Sequence, residues 1–188
     1  MSNTALIVID VQQSFRHRPY WSENDLPAYL ARQQALIDGC AARGVPVVQI
    51  FHVSPDGDFS LASGNVRTMD ALAIAPDAIF YKHQHSALAG TDLAAWLIAR
   101  GIGRLIVSGI RTEQCCETTT RHASDSGFVV DYVSEATLTF PMTHARSGRV
   151  YTPQEIRERT ELVLEDRFAR IATVEQALAA LPAATVAA

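Results

Sequence analysis

Three side chains able to do chemistry stand at or just beyond the ends of apolar runs that are far apart in the chain. Asp10 follows ALIVI, Lys82 follows AIFY, and Cys115 follows LIVSGIRTEQ. A cysteine on a strand-to-helix turn is placed for nucleophilic attack. With Thr112 as N-cap, Cys115 falls at the third helical residue. There the free backbone N–H groups and the helix dipole favour a thiolate and can bind an oxyanion. A desolvated Asp10 is a candidate general base that takes the thiol proton and returns it to a leaving amine. Lys82 would hold the negative charges of both. Each residue also has an ordinary role open to it: a small buried hydrophobe for the cysteine, a loop anchor for the aspartate, a solvated surface lysine. Their placement together argues for chemistry. Cys116 is expected to pack against a sheet and Cys40 to sit in the core.

The elements that must position these residues alternate along the chain. Short apolar runs at Ala5–Ile9, Val45–Val53, Ala78–Tyr81, Leu105–Ser108, Phe128–Val133 and Phe168–Ala172 read as buried strands. Helical periodicity covers Asp25 to Arg43, Thr91 (as cap) to Arg100, and residues 113–126. Thr152-Pro153-Gln154-Glu155 reads as a capping box with proline at the first helical position. Val174–Leu181 forms a short last helix, and residues 54–66 read as a loop. Strands separated by helices predict an α/β fold with a doubly wound parallel sheet covered on both faces. Ligands of such sheets bind beyond the carboxyl ends of the strands, which brings Asp10, Lys82 and Cys115 to one rim. The 188 residues are expected to form a single domain, with 182–188 as a flexible Ala-rich tail.

Composition narrows the function classes. The chain is 48% hydrophobic with a formal net charge of −4, which excludes a disordered or fibrous chain and lacks the basic footprint of a nucleic-acid binder. No apolar run is long enough to span a membrane, and the start lacks the form of a signal peptide. Three cysteines, two of them adjacent, argue against a disulfide framework and for a reducing, cytoplasmic setting. A small-molecule substrate is expected, with no nucleic acid or membrane partner. No G-x-G-x-x-G follows the first strand, which counts against a dinucleotide site.

LIVIDVQQSF, KHQHSALAGTDL and VSGIRTEQCCETTTRHASDSGF resemble, in this order, the motifs of the isochorismatase-like cysteine hydrolases. That family includes nicotinamidases, N-carbamoylsarcosine amidase, related amide and ureido hydrolases, and isochorismatases. The resemblance spans residues 5 to about 140. It implies a six-stranded three-layer α/β/α sheet in the order 3-2-1-4-5-6 and a catalytic Asp10–Lys82–Cys115 triad. It also implies a cis peptide between Ile110 and Arg111, with the N–H groups of Arg111 and Cys115 as an oxyanion hole. A homodimer or tetramer is implied as well. That strand order leaves two strand spacings between Lys82 and Asp10, so the lysine must reach across.

The departures carry information too. Metal-dependent nicotinamidases share a D-x-H…H cluster after strand two, where this chain reads Phe51-His52-Val53-Ser54-Pro55. A catalytic zinc usually takes three protein ligands, so no metal is expected and His52 is read as a crevice residue. His83, His85, His122 and His144 form no ligand spacing. Arg16, His17, Arg18, Tyr20 and Trp21 could cap the crevice and recognise a carboxylate or aromatic ring, or be a solvated basic loop. Phe15, Trp21, His52 and Phe140 are candidate pocket residues, with Met142 beyond them. The expectation is a cofactor-free hydrolase of small C–N compounds acting through a Cys115 thioester. The alternatives are a vinyl-ether hydrolase working with Asp10 alone and a non-catalytic binding domain.

Overall fold

The structure is a computed structural model that describes residues 3–183. Most of the tail expected at 182–188 therefore lies outside the described residues. Strands β1 (Thr4–Ile9), β2 (Val47–His52), β3 (Ala78–Lys82), β4 (Arg104–Ile110) and β5 (Val129–Leu138) are followed by a hairpin, β6 (Met142–Thr143) with β7 (Val150–Tyr151), and by β8 (Arg170–Ile171). Helices are α1 (Leu26–Ala41), α2 (Leu93–Ala99), α3 (Glu117–Asp125), α4 (Pro153–Leu164) and α5 (Val174–Ala179). The main sheet has the order β3-β2-β1-β4-β5-β8, and every neighbouring pair in it is parallel. This is the expected doubly wound sheet, β8 being its sixth strand.

β1 is central because it is apolar on both faces. Leu6 and Val8 enter one core layer with Leu36 and Ile37 of α1 and Ala177 of α5. Ala5, Ile7 and Ile9 enter the other with Leu93, Leu97, Ala123 and Leu164. Alternate residues of a strand face opposite sides, so this one short run ties both helical layers together. Burying each Leu or Ile contributes about 1.5–3 kcal/mol. β3 is an edge strand, and Ile79 and Tyr81 are about half exposed on it. Across β4, β5 and β8, Asp131 accepts from Arg104 Nε at 2.8 Å and Arg170 Nε at 2.7 Å. α4 has the expected capping box at Thr152 and Glu155. No helix among the described residues is long and apolar enough to cross a membrane.

Several local expectations are corrected. The segment 113–126 is two pieces: a π-helical turn, Thr112–Cys116, leads into α3. Its N-cap position is Arg111, because the Thr112 hydroxyl bonds Thr137 Oγ1 at 2.8 Å instead of capping. The N-cap of α2 is Asp92, one residue after the expected Thr91, and the helix starts at Leu93. β4 and β5 run longer than their apolar cores, and their register shifts between Val107 and Gly109. Gly109 has φ +126, and a Cβ there would overlap the Ile9 backbone, so only glycine fits. The loop 54–66 contains two short 3-10 turns, and the β6–β7 hairpin was not expected.

Candidate active site

Every strand that borders the rim delivers one functional group. β1 ends at Ile9, and Asp10 takes a left-handed backbone (φ 53°), a region that aspartate tolerates better than most residues. Its N–H donates to Ile50 O at 2.9 Å, holding the turn to β2. β2 ends on His52, and β3 ends on Lys82, paired in register with His52. The peptide bond between Ile110 and Arg111 is cis. After it the π turn, closed by Cys116 N–H to Arg111 O at 3.2 Å, brings Cys115 to the rim.

Lys82 is the hub. Its ammonium lies 2.8 Å from Asp10 Oδ2, and both side chains are fully buried. It donates to Cys115 Sγ at 3.3 Å and to Gln84 O at 3.1 Å. His52 Nδ1 lies 3.2 Å from the same nitrogen. The Cys115 thiol is also within hydrogen-bonding reach of the Asp10 carboxylate. The three residues first singled out are therefore in mutual contact, and Lys82 does reach across β2.

Burial dominates their electrostatics. It raises the Asp10 pKa above its ordinary value, against the pull of Lys82. Burial would lower Lys82, but the charges of Asp10 and Cys115 and its hydrogen bonds to both leave it raised. The Cys115 thiol is pushed up to about 12, by burial first and by the Asp10 charge second. This runs against the expectation of a resting thiolate: desolvation and the Asp10 charge outweigh the nearby ammonium. His52 is lowered to about 4 by burial, then by Lys82 and His85, so it is neutral at neutral pH and accepts from Lys82.

The sequence reading missed the groups that hold this set. Gln12 Oε1 accepts from His52 N–H at 2.8 Å and Gln12 Nε2 donates to His52 O at 3.1 Å, clamping the ends of β1 and β2. Gln12 Nε2 also donates to Ser14 Oγ at 2.8 Å, and Ser14 donates to Asn65 O at 3.0 Å, which gives Ser14 an anchoring role. Tyr132 donates to Thr112 O at 2.8 Å, and Glu113 accepts from Thr139 at 2.6 Å and pairs with Arg111 at 2.9 Å. Gln12 sits in the polar stretch Gln12-Gln13-Ser14 and Tyr132 follows Asp131, so residue type alone gave no signal of these contacts.

A cavity of about 260 Å³ opens over Asp10 and Cys115, walled by Phe15, Tyr20, His52 and Phe59, with Arg18 and His85 at its edge. That is below the usual range of about 300–1,000 Å³ for drug-sized ligands. Trp21 and Phe140 are not in this wall, contrary to expectation. Their rings pack together at 5.2 Å behind Tyr20, because Phe140 is buried beneath Arg111. Met142 lines a larger cavity of about 720 Å³ between the hairpin and α4. None of Asp10, Lys82 and Cys115 lines that space, so the smaller cavity is the candidate site. Arg16 pairs with Glu23. Arg18 forms no ion pair among the described residues and spans the mouth between Tyr20 and Phe59, 5.8 and 6.0 Å from their ring centres.

Metal ligation is a poor fit after β2. His52 presents Nδ1 to the Lys82 ammonium, and Asp58 faces His17 Nδ1 at 3.9 Å. Among the described residues no three His, Cys, Asp or Glu side chains gather as a metal site would require. His83 bonds Val53 O at 2.9 Å, His122 bonds Ser86 at 2.8 Å and His144 bonds Ser147 at 3.0 Å.

Comparison with known proteins adds a family. The profile of the Isochorismatase domain matches residues 4–153. An uncharacterized isochorismatase family protein, YrdC of Bacillus subtilis, is 27% identical over 180 residues, covering 92% of each chain. Nicotinamidase 3 of Arabidopsis thaliana is 32% identical over 152 residues, covering 72% of this chain and 73% of its own. A crystal structure of a candidate isochorismatase from Burkholderia xenovorans superposes with a TM-score of 0.87 at 34% identity, covering 99% of this chain and 90% of that one.

Proposed function

The chain belongs to the isochorismatase family of hydrolases, and we propose that it cleaves the C–N bond of a small amide, carbamoyl or ureido compound through a thioester on Cys115. The observation that carries this reading is the contact of one buried ammonium, Lys82, with both Asp10 at 2.8 Å and Cys115 at 3.3 Å. An ether hydrolase working through Asp10 alone has no use for a buried thiol there. Similarity to a nicotinamidase supports amide chemistry.

In this mechanism the resting enzyme holds a thiol. When a carbonyl fills the cavity, Asp10 takes the thiol proton as sulfur attacks the carbonyl carbon. A carboxylate whose pKa is raised by burial is a stronger base for that transfer. The ammonium of Lys82 balances the charge left on sulfur and stays protonated throughout. The N–H groups of Arg111 and Cys115 receive the oxyanion. Collapse expels the amine with the proton from Asp10, and water then cleaves the thioester. Arg18 binds an anionic end of the substrate at the mouth.

Release of ammonia from a panel of small amides and ureides tests this, with Cys115→Ala beside the wild-type protein. Turnover is expected and Cys115→Ala should abolish it. Retention of full activity by that variant, or cleavage of isochorismate in place of amides, would overturn the proposal.

A further inference from the structure

Arg111 serves the proposed chemistry with both ends of its backbone. Its carbonyl accepts from Gln114 N–H and Cys116 N–H, each at 3.2 Å, which closes the turn that carries Cys115. Its N–H is one of the two groups that receive the oxyanion in the mechanism above. Such a donor works only when it is already held in place, about 2.7–3.1 Å from the developing charge. The Arg111 side chain is built to do that holding. Only 8% of it is exposed, and Nη2 lies 2.9 Å from Glu113 Oε1. Glu113 is fixed in turn, its Oε2 accepting from Thr139 Oγ1 at 2.6 Å. The guanidinium lies 4.7 Å from the ring centre of Tyr20 and 5.6 Å from that of Phe140. Those two ring centres are 5.3 Å apart, and Tyr20 also walls the cavity. A buried guanidinium is costly unless paired. This one joins the nucleophile turn to the segment after β5 and to the loop after β1.

We propose that the Arg111 side chain is a positioning residue for acylation, clamping the oxyanion donor of its own backbone through Glu113, Tyr20 and Phe140. This rests on the thioester reading above. The guanidinium is taken up by Glu113 and the two rings, so it acts through its backbone and not by touching substrate. Arginine suits the place because its planar fork meets a carboxylate and stacks on aromatic faces at the same time, which a lysine ammonium cannot do. The contacts of Lys82 with Asp10 and Cys115 involve no part of Arg111. Loosening the clamp therefore leaves the thiol and its base as they are, and the step that suffers is stabilisation of the oxyanion.

Alkylation and acylation of Cys115 separate this role from any effect on the thiol. Iodoacetamide reacts at a methylene carbon and needs only the thiolate, whereas p-nitrophenyl acetate reacts at a carbonyl and needs the oxyanion donors too. Arg111→Met combined with Glu113→Gln leaves neither charge of the buried pair unbalanced. In that double variant the initial nitrophenolate release is expected to fall about ten-fold, part of what loss of a whole oxyanion donor costs. Alkylation of Cys115 at pH 9, read by peptide-resolved mass spectrometry, should stay within about two-fold of wild type. A purely structural role would move both reactions together. Glu113→Gln alone, close in shape to wild type, should shift the ratio in the same direction and serves if the double variant does not fold. Unchanged nitrophenolate release, or an equal change in both reactions, would overturn the role of Arg111 while leaving the thioester intact. Release that persists unchanged in Cys115→Ala, or no release from wild type at all, would instead overturn the thioester reading and the role of Arg111 with it.

Discussion

Lys82 meets Asp10 across an intervening strand: its Nζ stands 2.8 Å from Asp10 Oδ2 although β2 separates β3 from β1. The lysine passes over the end of β2 beside His52, its register partner, and the neutral ring accepts from it instead of repelling it. Removing one partner of a buried ion pair leaves an uncompensated charge and costs about 3–5 kcal/mol. Lys82→Met is therefore expected to lose about 3 kcal/mol in urea unfolding at pH 7 and to lose activity, because Asp10 then stays protonated. Asp10→Asn combined with Lys82→Met should be less destabilised than the two single variants summed. Since the folded pKa of Lys82 is raised, its contribution is complete at neutral pH and disappears as the pH rises through the folded value, above the ordinary lysine range. A Lys82→Met variant as stable as wild type would contradict this.

Cys115 should titrate high. With its pKa near 12, the ligand-free protein is expected to react slowly with iodoacetamide at pH 7, and the rate should climb steadily through pH 10. Asp10 raises that pKa, so Asp10→Asn should speed alkylation at intermediate pH, even as it removes the base needed for turnover. Peptide-resolved mass spectrometry reads both. A labelling midpoint below pH 8 for Cys115 in the wild-type protein would be incompatible with burial as the dominant force on the thiol.

How much of this was legible in the sequence follows from which forces are local. ALIVI revealed β1 because a strand buried on both faces needs apolar residues at every position. Asp10 and Lys82 stood out as charges ending such runs. Thr112 misled, because its residue type suggests an N-cap while tertiary contacts with Thr137 and Tyr132 claim its hydroxyl and carbonyl. The two-residue strands of the hairpin have too little apolar pattern to read. Phe140 and Trp21 have the composition of a pocket wall, yet stacking with Tyr20 and Arg111 draws them behind it. The sequence offers His85 only for metal-ligand spacing, and the fold alone brings its Nδ1 to 3.9 Å from Cys115 Sγ.

Arg18 bears on the sign of the substrate. Around the cavity, Asp10 and Lys82 offset each other, Cys115 is a neutral thiol and His52 is neutral. Among the described residues, Arg18 is left as a positive charge without an ion pair at the mouth. A carboxylate-bearing compound such as N-carbamoylglycine is expected to be favoured over its neutral methylamide. In Arg18→Gln, KM for the acid should rise about ten-fold while kcat changes little, since hydrogen bonds to charged groups contribute about 1.5–3 kcal/mol. Equal KM values for acid and amide in the wild-type protein would remove Arg18 from recognition.

Asp131 links acid stability to the far edge of the sheet. Its carboxylate is buried, which would raise its pKa. The hydrogen bonds from Arg104 and Arg170 outweigh burial and leave it below the ordinary value. A depressed folded pKa contributes stability above the ordinary aspartate range, and that contribution is lost as the pH falls through the folded value. Both arginines are partly exposed, at 34% and 46% of their side chains, so solvent screening reduces the contribution below that of a sealed pair. Asp131→Asn is expected to cost about 2 kcal/mol at pH 7, loosening β8 against β5 first. The gap from wild type should shrink as unfolding is measured at successively lower pH below 4. A gap that stays constant down to pH 2 would mean that packing, not charge, sets the worth of Asp131.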